Sequence, residues 1–387
     1  MSKEKFIDKL NNKHLIVRKR SLKKLVNKEE TYDTNRGSLH FFSKMSYSAY
    51  YPTLCAYSGL IYNLKVVGLN DYATLSGCDE FIFACQRMNI RYSLGYNANC
   101  TPLFGEKKAF VYGYGIADTL AYIVDEELKF LRDEKYETIK KISYQINKKL
   151  KNTKVGFTFS NVLDNSMFKK GGVVTEKHLA DTLTSRILDN TEETNEIISF
   201  LKNLNINLST DDIMFLRDSD NKYYFEDLSS LIVRWIYSLE RDEKTYDSSK
   251  FIEINNKYGI VSSYKADFEE FNVEKIKEYC NKLKEKGFNS LTFDPRKVLN
   301  QDDIDKIAEC ILKNGLIPIP QYEMGLPRSK KVFFESEILS KAMSAMVGNS
   351  ISTMFDLRDS IFSEETIKKC PEIERRLEMY STITKTV

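Results

Sequence analysis

Residues 37–77 read GSLHFFSKMSYSAYYPTLCAYSGLIYNLKVVGLNDYATLSG, and this stretch decides the fold. Ser38-Leu39-His40-Phe41-Phe42 predicts a strand, Pro52 opens a helix over 51–63, and Val66-Val67-Gly68-Leu69 predicts a second strand. Strand, helix, strand at this spacing predicts parallel strands joined by a crossover helix. Outward from there the alternation continues, with a helix over 79–88 and strands over 91–96 and 108–113. It resumes later with strands over 258–264, 290–293 and 316–319 and helices over 273–286 and 301–313. Gly287 and Gly315 stand at the two helix exits, where a left-handed cap is expected. The pattern predicts parallel pairing throughout, in a doubly wound sheet or a closed β/α barrel.

Between the two runs, residues 119–241 read as helix after helix. Apolar residues recur at helical intervals over 121–150, 175–188, 192–204 and 227–239, which predicts a helical insertion or cap. Residues 1–30 predict one or two amphipathic helices, and the tail predicts helices over 338–346 and 364–380. The expected organisation is a helical segment over 1–34, a barrel over 35–330 with its insertion at about 120–245, and a helical tail over 331–387.

The 387 residues suffice for a large core, and no apolar run approaches the roughly 20 residues of a membrane span. The charged N-terminus lacks an apolar export signal, so the expected location is cytoplasmic, without a membrane partner. Seven scattered cysteines with no C-x-x-C pair read as reduced, buried small hydrophobes. A net charge of +3 does not by itself imply a polyanion partner. Arg18-Lys19-Arg20 and Lys23-Lys24 could touch nucleic acid, but a charge run on a helix is ordinarily its wet face. With only His14, His40 and His178 available, an imidazole-rich metal cluster cannot be assembled, and His14 in its basic segment reads as solvated. No phosphate-loop, dinucleotide-fold, zincin or hydrolase-elbow motif is present.

The blocks S-L-H-F-F-S-K-M-S-Y-S, V-V-G-L-N-D-Y-A-T-L-S-G, L-G-Y-N, Y-G-I-A-D, G-G-V-V-T-E-K-H-L and I-P-Q-Y-E-M-G-L-P-R, spread over 37–328, resemble the PHP (polymerase and histidinol phosphatase) family of metal-dependent phosphoesterases. The resemblance implies a distorted β/α barrel of about seven strands with the site at the strand ends. It also implies metal ligands that this sequence largely lacks. The family's His-x-His pair falls on His40 and Phe42, its Asp-His on Asp71 and Tyr72, and its bridging glutamate on Asn97. Histidines near the fourth strand fall on Tyr114 and Asp118, and a late acid and histidine on Glu323 and Gly325. Losing a supporting partner alone costs about 10- to 100-fold, so losing several ligands should abolish the cluster. What remains, His40, Asp71, Asp118 and Glu323, could hold at most a single weak Mg²⁺, Mn²⁺ or Zn²⁺.

Lys177 and His178 follow a Gly-rich turn at a helix start that would attract an anion, although a capped helix with a packed histidine fits the same residues. Arg328, after Pro327, could grip a phosphate or make a structural ion pair. Rings crowd the lost ligand positions (Phe41, Phe42, Tyr47, Tyr50, Tyr51, Tyr72, Tyr96, Tyr112, Tyr114), as core packing or as a pocket that stacks on a base or sugar. The expectation is a pseudoenzyme with vestigial His40, Asp71, Asn97 and His178 and no cofactor. It would bind a small phosphorylated or nucleotide-like ligand, or a protein partner, through Phe42, Tyr72, Tyr114, Lys177, His178 and Arg328. The alternatives are a metal-dependent phosphoesterase with one retained metal, and a non-enzymatic interaction scaffold.

Overall fold

Seven strands form one mixed sheet, in the order β1 (Gly37–Phe41), β2 (Val66–Tyr72), β3 (Arg91–Cys100), β4 (Ala109–Ile116), β5 (Val261–Ala266), β6 (Ser290–Phe293) and β7 (Ile317–Pro320). The computed structural model describes residues 3–26, 35–191, 193–239, 244–266, 272–297, 301–322, 324 and 333–383. β1 and β2 are buried along their whole length, as strands covered on both faces must be. The sheet curls until its ends meet. Phe41 bridges Met324, the Phe42 N–H donates to the Met324 carbonyl at 3.0 Å, and the Met324 N–H donates to the His40 carbonyl at 3.1 Å. The result is an α/β fold with a distorted barrel.

One strand departs from the parallel expectation. β4 runs antiparallel to both β3 and β5, while the other six strands share one direction. The reason lies in the connection, because residues 101–108 are too few for a crossover helix, which needs a dozen residues or more. β1 and β2 approach closely at Gly68, where an added Cβ would lie 2.7 Å from the Leu39 Cα. Only glycine permits that contact.

Crossover helices Pro52–Ile61 and Cys78–Met88 pack outside β2 and β3, the first with proline in its opening turn. Helices Val273–Glu285 and Gln301–Lys313 repeat this outside β6 and β7, and Gly287 and Gly315 that follow them have φ of 90° and 83°. The N-terminal helix Leu15–Leu25 is anchored by Arg18, which is buried and paired with Glu80. His14 is exposed. The helix Glu337–Phe355 lies across the opposite end of the barrel from the strand C-termini, its Asn349 amide donating to the Gly115 and Gly259 carbonyls at 3.0 and 2.8 Å.

The middle of the chain has its own apolar core, from Ile139 through Leu179 and Leu183 to Trp235 and Ile236. Its helices include Lys129–Leu150, Glu176–Asn190, Thr194–Asn203 and Tyr224–Ser238, with two further short ones at Phe159–Asn165 and Thr210–Arg217. The predicted helix over 121–150 is broken at Leu128 into Ala121–Glu127 and Lys129–Leu150. The break lets Asp125 and Arg132 clamp the turn after β2. Asp125 accepts from the Leu75 N–H at 2.6 Å and the Thr74 hydroxyl at 3.0 Å, and Arg132 donates to the Ala73 carbonyl at 3.0 Å. Among the described residues no helix is long and apolar enough to cross a membrane, and all seven cysteines are free, six of them buried.

Candidate functional site

Six strands deliver their C-terminal ends to one mouth of the barrel, and the insertion leans over it. A cavity of about 470 Å³ lies between them. Barrel residues Phe42, Asn97, Tyr112, Lys265 and Gln321 line one side, and Lys135, Lys177, Arg234 and Tyr237 of the insertion line the other.

His40 sits on β1, fully buried, with its Nε2 hydrogen-bonded to the Tyr114 hydroxyl at 2.8 Å. That hydroxyl also meets Thr292 Oγ1 at 3.0 Å, and the Tyr112 ring lies edge-on to the imidazole, 5.0 Å between centroids. Burial, helped by the positive charges of Lys265 and Arg296, lowers His40 from 6.5 to about 3. The imidazole is therefore neutral, and its Nδ1 has no hydrogen-bond partner among the described residues.

Asp71, at the end of β2, is also buried, but its oxygens are engaged. It accepts from the Ser43 N–H at 2.7 Å, the Ser43 hydroxyl at 2.6 Å and the Ser46 hydroxyl. These bonds shape the turn after β1. Burial raises Asp71 to about 6 against the lowering effect of those bonds. Asn97 donates to the Asn70 carbonyl at 2.7 Å, and the Tyr72 ring lies edge-on to Tyr47.

Asp118 stands away from this group, because β4 runs backwards. Leu94 pairs with Ile116 and Cys100 with Ala109, so the residues after β4 emerge at the far end of the barrel. There Asp118 accepts from the Tyr92 hydroxyl at 2.7 Å. Glu323 and Arg328 lie outside the described residues. His178 is buried at the start of its helix, where Nδ1 accepts from the Thr175 N–H at 3.1 Å in a capping box, and burial lowers it to about 4. The same segment docks on the turn after β1 through the Thr175 hydroxyl and the Ser46 carbonyl, 3.0 Å apart. Lys177 is ion-paired with Asp181 and reaches the Ser229 hydroxyl at 3.3 Å. Among the described residues, no three His, Cys, Asp or Glu converge as a metal site.

Solved structures that resemble this one include two hydrolases by description. A protein assigned as a metal-dependent phosphoesterase, from Bifidobacterium adolescentis, has a TM-score of 0.54 at 12% identity, over 80% of this chain and 96% of that one. An amidohydrolase from Chromobacterium violaceum, with bound sulfate and no metal, has a TM-score of 0.51 at 14% identity, over 76% of this chain and 88% of that one. The likeness is one of fold: the chain shares the α/β architecture of these two structures. No family model matches the sequence, and no curated protein matches it.

The cations at the mouth were not singled out in the sequence, apart from Lys177. Lys135 pairs with buried Glu176 at 2.8 Å, Arg234 with Asp212 at 2.7 Å, the Lys108 amine lies 4.4 Å from the Tyr237 ring centre, and Lys265 lies 5.8 Å from that of Phe110. A lysine within the otherwise uncharged strand Val-Ser-Ser-Tyr-Lys-Ala was the available signal for Lys265. Arg234 and Tyr237 gave none, since only the packing of the insertion brings them to the barrel. Gln321 is 2% exposed at the cavity wall, and its amide Nε2 meets the Tyr112 hydroxyl at 3.3 Å while Oε1 has no partner among the described residues. Turning the amide round would only exchange which of its atoms is left over.

Proposed function

We propose that the chain binds a phosphorylated, nucleotide-like small molecule in the cavity at the barrel mouth, on a phosphoesterase-like scaffold without the metal cluster that the PHP resemblance implies. The observation that carries this reading is the cavity wall: Lys108, Lys135, Lys177, Arg234 and Lys265 line it, and among the described residues no Asp or Glu does. At least three of the five face a carboxylate, so their charge is partly neutralised, and Lys108 and Lys265 lie over rings. A wall of this sign favours a phosphate, the rings of Phe42, Phe110, Tyr112 and Tyr237 offer faces for a base or sugar, and the Gln321 amide offers a hydrogen bond.

The described donors do not fit a metal cluster. His40 is hydrogen-bonded to Tyr114, Asp71 to two serines, and Asp118 is at the wrong end of the barrel. Binding is tested by thermal shift with adenosine monophosphate, glucose 6-phosphate and inorganic phosphate. At about 100-fold above its Kd a ligand stabilises by about 2.7 kcal/mol, and Lys108→Ala/Lys265→Ala should abolish the shift. A flat screen overturns the binding reading. The likeness to a metal-dependent phosphoesterase supports a second reading, hydrolysis with one retained metal. Calorimetric titration with Mn²⁺ and Zn²⁺ separates the two: stoichiometric, tight binding that disappears in His40→Ala, with hydrolysis of a generic phosphoester, replaces the first reading by the second.

A further inference from the structure

We propose that the site continues out of the barrel mouth along residues 101–108 and takes a short single-stranded oligonucleotide rather than a lone nucleotide. This rests on the binding reading of the barrel-mouth cavity. A second cavity, of about 650 Å³, lies beside the first and is lined by Phe104, Lys107 and Tyr279 together with Lys108, Phe110 and Lys265. The last three line the first cavity as well, so the two are successive lengths of one groove.

The groove carries both elements that a nucleic-acid strand's charges and flat bases call for, lysines and aromatic rings. Lys108 and Lys265 stand at the junction and exposed Lys107 beyond it. Phe104 and Tyr279 meet edge-on with ring centres 4.0 Å apart, and Phe110 lies between them and the barrel mouth wall. Lysines that track a backbone beside rings that stack on bases form the ordinary platform for single strands, tolerant of sequence. The carboxylate that lines this cavity among the described residues, Glu106, accepts from the Phe104 N–H at 2.8 Å and from the Tyr264 hydroxyl, and so holds the 101–108 arm in place. Either cavity alone falls in the roughly 300–1,000 Å³ range that accommodates one small ligand. A mononucleotide would occupy only one of them.

The test is fluorescence anisotropy on the full chain with labelled thymidine hexamer and its uridine counterpart, with thymidine monophosphate and inorganic polyphosphate as competitors. A hexamer should bind at least about tenfold tighter than the mononucleotide, and the two sugars in separate arms show whether DNA or RNA is preferred. Three lysine contacts should give a slope of log affinity on log salt of about −2, and Lys107→Ala should reduce it by about 0.7. Lys107→Glu should weaken the hexamer about tenfold and leave the mononucleotide unchanged, since Lys107 lines only the outer cavity. A mononucleotide that binds as tightly as the hexamer overturns this inference alone, as does hexamer binding insensitive to Lys107→Glu. Polyphosphate competing as well as the hexamer also overturns it, because the rings would then play no part. Failure of every probe, the mononucleotide included, removes the binding reading itself.

Discussion

Lowering the pH from 6 to 5 should destabilise the fold through its two buried histidines, and the size of the effect follows from three groups. Burial lowers His40 from 6.5 to about 3 and His178 from 6.5 to about 4. Below pH 6.5 the unfolded chain therefore takes up about two protons that the folded chain refuses, and stability falls with pH. Asp71 acts in the opposite sense. Its folded value is raised from 3.8 to about 6, so the stability it contributes is fully present below 3.8 and is lost as pH rises through about 6. Between pH 6 and 5 the folded Asp71 takes up most of a proton, which offsets one histidine. The net difference is about one proton, or about 1.4 kcal/mol lost per pH unit. Urea unfolding in EDTA, followed by far-ultraviolet circular dichroism and by the fluorescence of the single Trp235, measures this directly. His40→Gln removes one titrating imidazole, leaving His178 and Asp71 to cancel. Its unfolding free energy should then be flat to within about 0.5 kcal/mol over the same interval, whatever its absolute value. A flat curve for the unmodified chain, or a variant curve just as steep, would refute the neutral, buried state of His40.

Other expectations rest on separate contacts. Arg18→Ala leaves Glu80 buried with Thr53 as its remaining partner among the described residues, and should cost about 3–5 kcal/mol in urea unfolding; a loss below about 1 kcal/mol would mean that the pair is solvated in solution. Tyr114→Phe strips His40 Nε2 of its hydroxyl and should cost about 1–3 kcal/mol without changing the fold. In Gly348→Ala the new Cβ would stand 1.9 Å from the Tyr380 carbonyl oxygen, so the helix Ile373–Thr382 should be displaced and become a site of limited proteolysis. Unchanged protection there would show that the two helices can slide apart at little cost.

The sequence by itself determined the alternation of strand and helix, the helical middle of the chain and most element positions, because these depend on local periodicity, Pro52 and the left-handed glycines at 287 and 315. Set against the PHP resemblance, it also placed Phe42 and Tyr72 where imidazoles are expected and Asn97 where a glutamate is, since a side chain that cannot ligate is recognisable without coordinates. The direction of β4 could have been read from the short link 101–108, but residue-level strand signals carry no sign, and so Asp118 was grouped with residues at the other end of the barrel. Whether Asp71 was open to a ligand depended on Ser43 and Ser46, 28 and 25 residues away. The basic lining was decided by tertiary structure alone: Lys135, Lys177, Arg234 and Lys265 come from four separate elements, and only the folding of the insertion over the strand ends places their charges around one cavity.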